Sequence, residues 1–478
     1  MFYGRKDIID RLMALFKKRT SSLVSCRGRR RIGKSTLIEV FAQRADARFI
    51  KIEGLRPRPK LSNADELANF AAQLAAQTAC EATPPVNWLN AFIRLDREID
   101  DSRRTVVLLD EVSWMAHYDN TFSGTLKIAW DNYFKKHPRL VLVVCGSVST
   151  WIRDNIIEDG SFYGRRSLDI VVPELPLAEC VKFWGKAASR IDRREIIDVL
   201  SVTGGVPRYL EEIDPGATAS ENMRRLCFCP KSLLREDFDE MFNDVITKQP
   251  TFTASVMRSL VNGSRSVTEI AKELGLTKGG RITDALSQLE EAGMVAADSG
   301  KNPENGKDAR MVRYRLRDNY SRFYLKYIEP EKSVIDKGAF SLGTLDSLEG
   351  WESVMGLAFE NLVVNNVRDL VVPLGFGSAH VVSASPYCRA ASRKGEHGGV
   401  QVDLLVQTRR AMCVVEVKRQ REIGRNVIDE MAKKVSRIPH RDGISVRTAL
   451  IYEGHLAPIV EADGYFDAII PFGTLLGI

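Results

Sequence analysis

Short apolar runs alternate with amphipathic stretches along the first third of the chain. The strand-like runs, most of them continuously apolar, are residues 23–26, 48–52, 106–109 and 140–145. Continuous runs are typical of parallel strands buried on both faces. The helical patterns between them are residues 35–44, 64–79 and 88–98. This alternation of strands and helices predicts a doubly wound α/β domain.

The strand pattern stops at about residue 170. Residues 177–245 are predicted to form a set of helices, and residues 255–330 form a separate small unit. A second mixed α/β region begins near residue 350. The chain shows neither an internal repeat nor a low-complexity segment.

Composition narrows the class of protein without naming a function. The 478 residues are 44% hydrophobic and 27% charged, which is ordinary for a soluble globular chain. The net charge of +7 permits a polyanionic partner but does not demand one. No apolar run approaches the roughly 20 residues of a membrane span, and the first residues do not resemble a signal peptide. Eight scattered cysteines predict reduced thiols and a cytoplasmic protein.

The phosphate-loop pattern G-x-x-x-x-G-K-S occurs in full, with Gly28, Gly33, Lys34 and Ser35 at its fixed positions. It follows an apolar strand and opens a helix, which is the context that the motif requires. The glycines let backbone N–H groups surround phosphates. Lys34 is expected to reach the β- and γ-phosphates, and the Ser35 hydroxyl to bind Mg²⁺. Thr36, the next residue, is a further candidate for nucleotide binding.

A buried strand that ends in Asp110 and Glu111 supplies the second half of this site. Asp110 is expected to hold Mg²⁺ directly or through water, and Glu111 to polarise the attacking water. Acids at a strand end are also found as helix caps or surface charges, and this alternative stays open.

At this point the sequence resembles the AAA+-related ATPases, specifically a prokaryotic ATPase family of the signal-transducing (STAND-like) branch. The resemblance covers most of residues 1–245. Beyond the phosphate loop and Asp110-Glu111, it rests on Phe2-Tyr3-Gly4-Arg5, Cys145-Gly146-Ser147 and Thr203-Gly204-Gly205-Val206-Pro207-Arg208.

The resemblance implies roles for residues around the nucleotide. Tyr3 and Arg5 would lie near the adenine, and Ser147 would be the polar sensor beside the γ-phosphate. Pro207 would pack against the base from a helical lid, and Arg208 could sense the phosphates. Alternatively, Ser147 only caps a turn.

Arg165 and Arg166 lie where this family keeps an arginine pair. The resemblance makes either of them a candidate arginine finger, a role that acts in trans and needs an oligomer. Solvated charges and DNA contacts are the alternatives.

Residues 266–317 have the pattern of a winged helix. Ser266 and Glu269 form a capping box, and Gly275 ends the first helix before a tight turn and a second helix. A predicted hairpin follows. Lys278, Arg281 and Thr283 lie at the start of the second helix, where base edges are usually read.

The second hairpin strand alternates cleanly and places Arg313, Arg315 and Arg317 on one face. Three arginines on one face suit phosphate contacts, so we expect DNA binding. Packing or nucleotide sensing is the competing role, and Asp284 and the acidic pair at 290–291 would repel phosphates.

Near the C-terminus, two strands flank a turn at residues 409–410. A two-residue turn places Asp403 opposite Glu416 across the hairpin, and Lys418 then shares their face. Two carboxylates at that spacing can hold Mg²⁺, and the neighbouring lysine can activate a water.

This pattern resembles the PD-(D/E)xK nuclease superfamily over about residues 350–478. The resemblance implies that Glu360 is a third, metal-binding acid beside Asp403 and Glu416. Val402 stands where a proline often precedes the first acid. A non-catalytic domain in which Lys418 neutralises the acids is the alternative.

We therefore predict an α/β protein, a P-loop NTPase core followed by a helical lid, a winged helix and a restriction-endonuclease-like domain. The predicted boundaries are 1–172, 173–250, 251–330 and 345–478. The expected function is a Mg-ATP-dependent switch ATPase coupled to DNA binding, with an ATP-gated nuclease or a non-catalytic regulator as alternatives. ATP, Mg²⁺ and DNA are the expected ligands, without a membrane, and a homo-oligomer or protein partner is also considered.

Overall fold

The structure, a computed structural model, describes residues 2–147, 149–246, 249–277, 280–309, 311–377, 379–391 and 398–478. Two compact units divide the chain, residues 1–174 and 175–478. They are called the N-terminal unit and the C-terminal unit below. The first boundary lies two residues from the predicted end of the ATPase core, whereas the finer division into four domains stays a prediction.

A parallel five-stranded sheet organises the N-terminal unit, in the order β2-β3-β4-β1-β5. Its strands are β1 (Ser22–Arg27), β2 (Arg48–Glu53), β3 (Thr105–Asp110), β4 (Leu140–Gly146) and β5 (Arg166–Val171). Its α-helices are α1 (Lys6–Leu15), α2 (Lys34–Arg44), α3 (Asn63–Gln77), α4 (Trp88–Arg97), α5 (Val112–Met115), α6 (Phe122–Asn132) and α7 (Ser149–Ile152). Short 3₁₀ and π turns lie at Phe134–Lys136, Gly160–Phe162 and Arg153–Ile157.

The four predicted strands and three predicted helices of this unit are observed, with ends that differ by at most two residues. The pattern did not indicate β5. Its sequence Arg-Ser-Leu-Asp-Ile-Val mixes polar and apolar residues, because most of this edge strand is only partly buried. The continuous apolar runs of β3 and β4 are buried throughout, as expected for central parallel strands.

An aromatic cluster packs on one face of this sheet. Trp88, Phe92 and Phe122 are almost completely buried, and the rings of Trp88 and Phe122 meet edge to face at 4.8 Å between centroids. Edge-to-face contacts add to the free energy gained by burying the rings. The cluster joins α4 and α6 to the central strands β3 and β4, which end at the candidate nucleotide site.

Helices dominate the first part of the C-terminal unit. They are α8 (Leu177–Cys180), α9 (Arg193–Thr203), α10 (Pro207–Leu210), α11 (Ala219–Cys227), α12 (Leu233–Val245), α13 (Pro250–Ser259), α14 (Val267–Glu273) and α15 (Gly280–Glu291). A 3₁₀ segment spans Val181–Ser189 with a break at Gly185. The antiparallel hairpin β6 (Val295–Asp298) and β7 (Arg313–Leu316) follows, and Arg265 bridges to Tyr314 of β7.

A second five-stranded sheet, in the order β12-β11-β10-β9-β8, forms the last part of this unit. Its strands are β8 (Val381–Arg389), β9 (Val400–Thr408), β10 (Ala411–Ile423), β11 (Ser445–Leu456) and β12 (Ala468–Pro471). The remaining helices are α16 (Asn319–Phe323), α17 (Lys332–Asp336), α18 (Trp351–Asn365), α19 (Val367–Leu370), α20 (Asn426–Ser436), α21 (Pro458–Ala462) and α22 (Gly473–Leu476), with a π turn at Tyr324–Ile328 and a 3₁₀ turn at Leu345–Ser347. In the described part of the chain, no helix combines the length and apolar character needed to cross a bilayer.

Candidate functional site

The phosphate loop joins β1 to α2 and needs glycine at its first position. A Cβ on Gly28 would lie 2.8 Å from the Val172 carbonyl oxygen, so a side chain there would displace the backbone. Gly33 has φ +81°, a left-handed conformation in which side chains other than glycine are strained. Both glycines are therefore required by the shape of the loop.

Lys34 is held at the centre of this loop. Its Nζ donates to the carbonyl oxygens of Gly28 at 3.1 Å and Arg29 at 3.2 Å, and the residue is only 7% exposed. The loop thus orients the ammonium group toward its own interior, where the sequence places the phosphates. This is the position expected for the lysine of a phosphate loop.

The two residues predicted to hold Mg²⁺, Ser35 and Asp110, are hydrogen-bonded to each other. The Ser35 hydroxyl donates to Oδ2 of Asp110 at 2.5 Å, although the residues are 75 positions apart in the chain. Parallel strands end at the same edge of a sheet, so the loop after β1 and the acid at the end of β3 converge. The sequence prediction that these two residues share a site agrees with this geometry.

Hydroxyl and carboxylate oxygens are the protein ligands that Mg²⁺ prefers. In nucleotide sites one or two protein oxygens suffice, because phosphates and water complete the octahedron. Ser35 and Asp110 therefore fit a Mg²⁺ ion that arrives with ATP. When bound, the ion would neutralise charge on the phosphates.

Glu111 and Ser147 are also brought together. Oε2 of Glu111 accepts from the Ser147 backbone N–H at 3.2 Å and from its hydroxyl at 2.9 Å. Glu111 adopts a left-handed conformation with φ 49°, which a non-glycine residue seldom adopts. The residue therefore turns sharply at the end of β3, and Ser147 at the end of β4 fixes the direction of its carboxylate.

Arg5 contacts the backbone of the phosphate loop through its buried side chain. Its guanidinium donates to the Ile32 carbonyl at 2.7 Å and the Pro173 carbonyl at 2.9 Å. This holds the segment that contains Tyr3, which is partly buried, beside the phosphate loop. Thr36 is exposed on α2. Contact of Tyr3, Arg5 and Thr36 with a nucleotide stays a prediction.

The two arginines proposed as fingers have partners inside the N-terminal unit. Arg165 forms a two-pronged ion pair with Asp131, with Nε–Oδ1 at 2.8 Å and Nη2–Oδ2 at 2.9 Å. This pairing lowers the pKa of Asp131 to about 2. Arg166 donates to the Ile157 carbonyl at 3.0 Å. A finger role stays a prediction, and for Arg165 it requires release from Asp131.

Pro207 and Arg208 lie at the start of α10 in the C-terminal unit. Pro207 occupies the first turn of that helix, where its missing N–H does no harm. Arg208 pairs with Glu212 at 2.6 Å and Glu211 at 3.6 Å on the same helical surface. Their predicted contacts with the nucleotide are untested.

In the C-terminal unit, the hairpin of β9 and β10 has the predicted two-residue turn. Met412 pairs with Gln407 and Val415 with Leu404, and the same register continued by one residue places Asp403 opposite Glu416. Asp403 Oδ2 also accepts from the Val417 backbone N–H at 2.9 Å. The predicted neighbourhood of the two acids is therefore present.

Glu416 is almost completely buried, and both of its oxygens contact lysines. Lys418 Nζ lies 3.0 Å from Oε1, and Lys434 of α20 donates to Oε2. Sequence reasoning missed Lys434. The available signal was the lysine pair in the amphipathic helix that follows β10, but helical spacing alone does not say which strand residue it reaches.

These residues line an open cleft of about 360 Å³. Its walls carry Gln401, Asp403, Glu416, Lys418, Glu430, Lys433, Lys434 and Arg437. Three acidic residues line the cleft together with Lys418, with Lys433 and Lys434 of α20 and with Arg437, which follows that helix. A cleft of this composition suits a phosphate chain more than an apolar ligand.

Burial changes the protonation of two acids near this cleft. It raises the pKa of Asp403 to about 6, with the Glu416 charge adding to the effect and Lys434 opposing it. It raises the pKa of Glu360 to about 8, with the Asp403 charge adding and Arg322 opposing. Within the described residues, no set of three or more His, Cys, Asp or Glu side chains is grouped to hold a metal ion. The predicted three-acid metal set stays a prediction.

The basic face expected on β7 is not open at two of its three arginines. Arg315 pairs with Asp298 at 3.1 Å and donates to Asn361 of α18 at 2.6 Å. Arg313 pairs with Glu269 at 3.0 Å and is 19% exposed at the side chain. Strand alternation shows which residues share a face but not what packs on that face. Lys278, also expected to contact DNA, lies outside the described residues.

Lys51 on β2 is a further residue that the sequence analysis missed. Its Nζ lies 3.2 Å from Asp110 Oδ2 and 2.9 Å from Glu53 Oε2. Burial alone would lower the pKa of Lys51, but the hydrogen bond to Glu53 and the charge of Asp110 outweigh burial, so the pKa is raised. The available signal was a lysine between two isoleucines in a predicted strand.

Residues 2–213 match the family model described as an ATPase domain predominantly from Archaea. An uncharacterized protein of Methanocaldococcus jannaschii is 21% identical over 448 residues, covering 92% of this chain and 91% of that protein. Together with the phosphate loop, Asp110 and Glu111, this match identifies residues 2–213 as an ATPase domain that binds ATP.

The Walker-type ATPase of Pyrococcus abyssi has a similar fold, with a TM-score of 0.52 and 15% identity over 68% of this chain and 96% of that chain. The ORC2 protein of Aeropyrum pernix is a weaker match, with a TM-score of 0.43 and 13% identity over 71% of this chain and 96% of that chain. The first likeness places this chain in the P-loop ATPase fold.

Proposed function

We propose that this ATPase is a Mg-ATP-dependent switch that controls a DNA-cleaving domain at the C-terminal end of the chain. One observation carries the proposal beyond ATP hydrolysis. Asp403, Glu416 and Lys418 line one open cleft, and the two acids directly follow the Leu404–Val415 pair of the β9–β10 hairpin. Two carboxylates and a lysine are the groups that metal-dependent hydrolysis of a phosphodiester uses.

In the N-terminal unit, the roles of the site residues follow from their contacts. Lys34 and the loop N–H groups bind the phosphates, and Ser35 and Asp110 bind Mg²⁺. Glu111 accepts a proton from, or orients, the attacking water, and Ser147 holds its carboxylate in place. The observed pairs that these assignments use are Ser35 with Asp110 and Glu111 with Ser147.

The helices α13 to α15 and the hairpin β6–β7 support a winged helix. A bridge from Arg265 to Tyr314 joins the segment before α14 to the hairpin, which is the connection that a three-stranded wing sheet needs. The capping box of Ser266 and Glu269 begins α14 as predicted. We assign DNA contact to the start of α15, because the arginines of β7 have partners within the chain.

Arg281 at the start of α15 is exposed and is held in place. Its guanidinium lies 3.9 Å from the centroid of the Phe252 ring and contacts Gln249. An arginine that is pre-positioned in this way loses less side-chain entropy on binding. Asp284 on the same exposed surface would oppose a phosphate, which favours a contact limited to the first turn of the helix.

A direct contact links the helical lid segment to the nuclease-like cleft. Asp198 of α9 pairs with Arg419, the residue after Lys418 on β10. Burial raises the pKa of Asp198 to about 6, and the Arg419 charge opposes this rise. Because α9 leads directly into the segment that contains Pro207 and Arg208, a shift of that segment would be transmitted to β10. The Asp198–Arg419 pair is the contact through which we propose that the cleft is controlled.

The test is cleavage of supercoiled and linear DNA with Mg²⁺ or Mn²⁺, with and without ATP. Asp403→Asn and Glu416→Gln are expected to abolish cleavage. Lys433→Gln, in the same cleft but without a contact to the acids, is the matched control and should retain most activity. Asp198→Asn should retain cleavage but reduce its dependence on ATP.

Retained cleavage in Glu416→Gln would contradict the catalytic assignment. Equal dependence on ATP in wild type and Asp198→Asn would contradict the proposed link through Arg419. Either result leaves the ATPase assignment intact, because ATP hydrolysis depends on a different part of the chain.

A regulator that binds DNA without cutting it is the second candidate, and one observation favours it. Both oxygens of Glu416 are already paired with lysines, so a metal ion has to displace at least one ammonium group. For this candidate we expect salt-dependent DNA binding that is weakened by Lys433→Gln and Arg437→Gln, with no cleavage under any metal. Cleavage that requires Glu416 would exclude it.

A further inference from the structure

Lys51 occupies an unusual position for a lysine. It lies on β2 between Ile50 and Ile52, which are both fully buried, and its ammonium reaches the edge of the sheet where β3 ends. There it contacts Oδ2 of Asp110, the same oxygen that accepts the Ser35 hydroxyl. A fixed positive charge therefore lies beside the atom predicted to face Mg²⁺.

The strand that carries Lys51 is held firmly. The side-chain amide of Gln77 in α3 accepts from the backbone N–H of Lys51 and donates to the carbonyl of that residue. Gln73 makes the same two hydrogen bonds with the backbone of Glu53. Asn69, one turn earlier, donates to the Glu53 carbonyl as well. This row of amides covers the open edge of β2 as a neighbouring strand would. The position of Lys51 is thus fixed by α3 and not by Asp110 alone.

Glu53 provides a second partner for the same ammonium group. Glu53 is the register partner of Asp110 on the neighbouring strand, and Lys51 lies two positions earlier on the same face of β2. The ammonium contacts Glu53 at 2.9 Å and Asp110 at 3.2 Å. If it leaves Asp110, it keeps a carboxylate partner, so Lys51 does not become an unpaired charge in a half-buried place.

We propose that Lys51 is a built-in cation that competes with Mg²⁺ for Asp110, and that Glu53 retains Lys51 when the metal binds. Two cations beside one carboxylate repel each other, so each lowers the affinity of the other. The pair sets how much Mg²⁺ the site needs, and it keeps Asp110 neutralised before Mg-nucleotide arrives. Lys51 acts through Asp110 and is a positioning residue rather than a catalytic one.

The experiment measures Mg²⁺ affinity directly. A fluorescent ADP analogue is bound to the full chain in EDTA, and Mg²⁺ is then titrated; Mn²⁺ binding followed by electron paramagnetic resonance gives a second readout independent of turnover. Lys51→Met is expected to lower the apparent dissociation constant for Mg²⁺ by about fivefold, the scale of a partly exposed ion pair. Glu53→Gln is expected to raise it, because Lys51 then has Asp110 as its remaining carboxylate partner.

Lys51→Arg keeps the charge and should behave as wild type within about twofold. If Lys51 only orients Asp110, Lys51→Met weakens Mg²⁺ binding instead, and the proposal is overturned. An unchanged Mg²⁺ affinity in Glu53→Gln overturns the role of Glu53. Should Lys51→Met fail to fold, the opposite shift expected from Glu53→Gln still decides the matter.

Discussion

The candidate sites of the two units use the same kinds of side chains in opposite proportions. At the ATPase site one lysine, Lys51, is shared by two acids, Asp110 and Glu53. In the C-terminal cleft one acid, Glu416, is shared by two lysines, Lys418 and Lys434. The first site therefore has a surplus of carboxylates for an incoming cation, and the second has its buried acid already neutralised. The ratio of carboxylates to lysines at each site, rather than the presence of a carboxylate, therefore decides how readily the site binds a metal ion.

The units also differ in how they bury ion pairs, and this gives the largest expected effect. Arg315 and Asp298 of the C-terminal unit are 12% and 8% exposed at their side chains. Arg315→Ala is expected to lower the free energy of unfolding by about 3 kcal/mol, because it leaves Asp298 buried without its partner. Thermal unfolding measured by circular dichroism checks this.

Arg165→Ala in the N-terminal unit is the matched comparison. Its pair with Asp131 is more exposed, at 30% and 20%, so we expect a smaller loss of stability than in Arg315→Ala. If both variants lost the same free energy of unfolding, the two units would not differ in how much their ion pairs stabilise the fold.

At the ATPase site, the next largest expected effect is on the rate of ATP hydrolysis. Glu111→Gln is expected to slow ATP hydrolysis by about 100-fold while nucleotide binding is retained, because the variant keeps the shape but cannot accept a proton. Ser147→Ala should slow hydrolysis less, since it removes the hydroxyl contact and leaves the backbone contact to Glu111. Steady-state turnover and equilibrium binding of ATP measure the two parts. Turnover within threefold of wild type would exclude Glu111 as the general base.

Glu66 shows what burial does to an acid without a lysine. It is as buried as Glu416, each 1% exposed, but it accepts from the Leu55 backbone N–H at 2.7 Å and hydrogen-bonds with Asn69. Burial raises the pKa of Glu66 to about 7, well above the ordinary range of a glutamate, and the hydrogen bond from the Leu55 N–H only partly opposes this rise. The folded state therefore binds the proton more tightly than the unfolded state. The free energy of unfolding falls as the pH rises from the ordinary pKa of glutamate through the folded pKa of about 7.

Glu66→Gln removes that ionisation. We expect the variant to match wild type at pH 5 and to exceed it by about 2 kcal/mol at pH 8, in chemical unfolding followed at several pH values. A difference that does not change with pH would mean that Glu66 titrates normally in the folded protein.

The smallest expected effect concerns the C-terminal cleft, where two lysines contact Glu416. Lys434→Met removes one of the two ammonium groups on Glu416 and should strengthen Mn²⁺ binding to the C-terminal cleft by about fivefold. Competition by the ATPase site is avoided by measuring in the Ser35→Ala background. Weaker Mn²⁺ binding would show that Lys434 positions Glu416 for the metal, and the contrast between the two sites would then fail.

Local patterns in the sequence predicted a large part of what was found. The strands β1 to β4, the phosphate loop and the turn at 409–410 all depend on residues close together in the chain, whose spacing reports their geometry. The edge strand β5 was missed because its apolar pattern is weak. The register of the C-terminal hairpin was predictable because a two-residue turn leaves no freedom in how its strands pair.

The sequence by itself determined which residues are candidates for the chemistry: the loop from Gly28 to Ser35, the acids at the end of β3, and the hairpin acids. Only the tertiary structure decided their partners. Lys51 meets Asp110 because β2 lies beside β3, Lys434 meets Glu416 because α20 packs on β10, and Arg315 is covered because α18 lies against β7. The spacing of residues along one element fixes a face, but the charge opposite that face comes from an element distant in sequence.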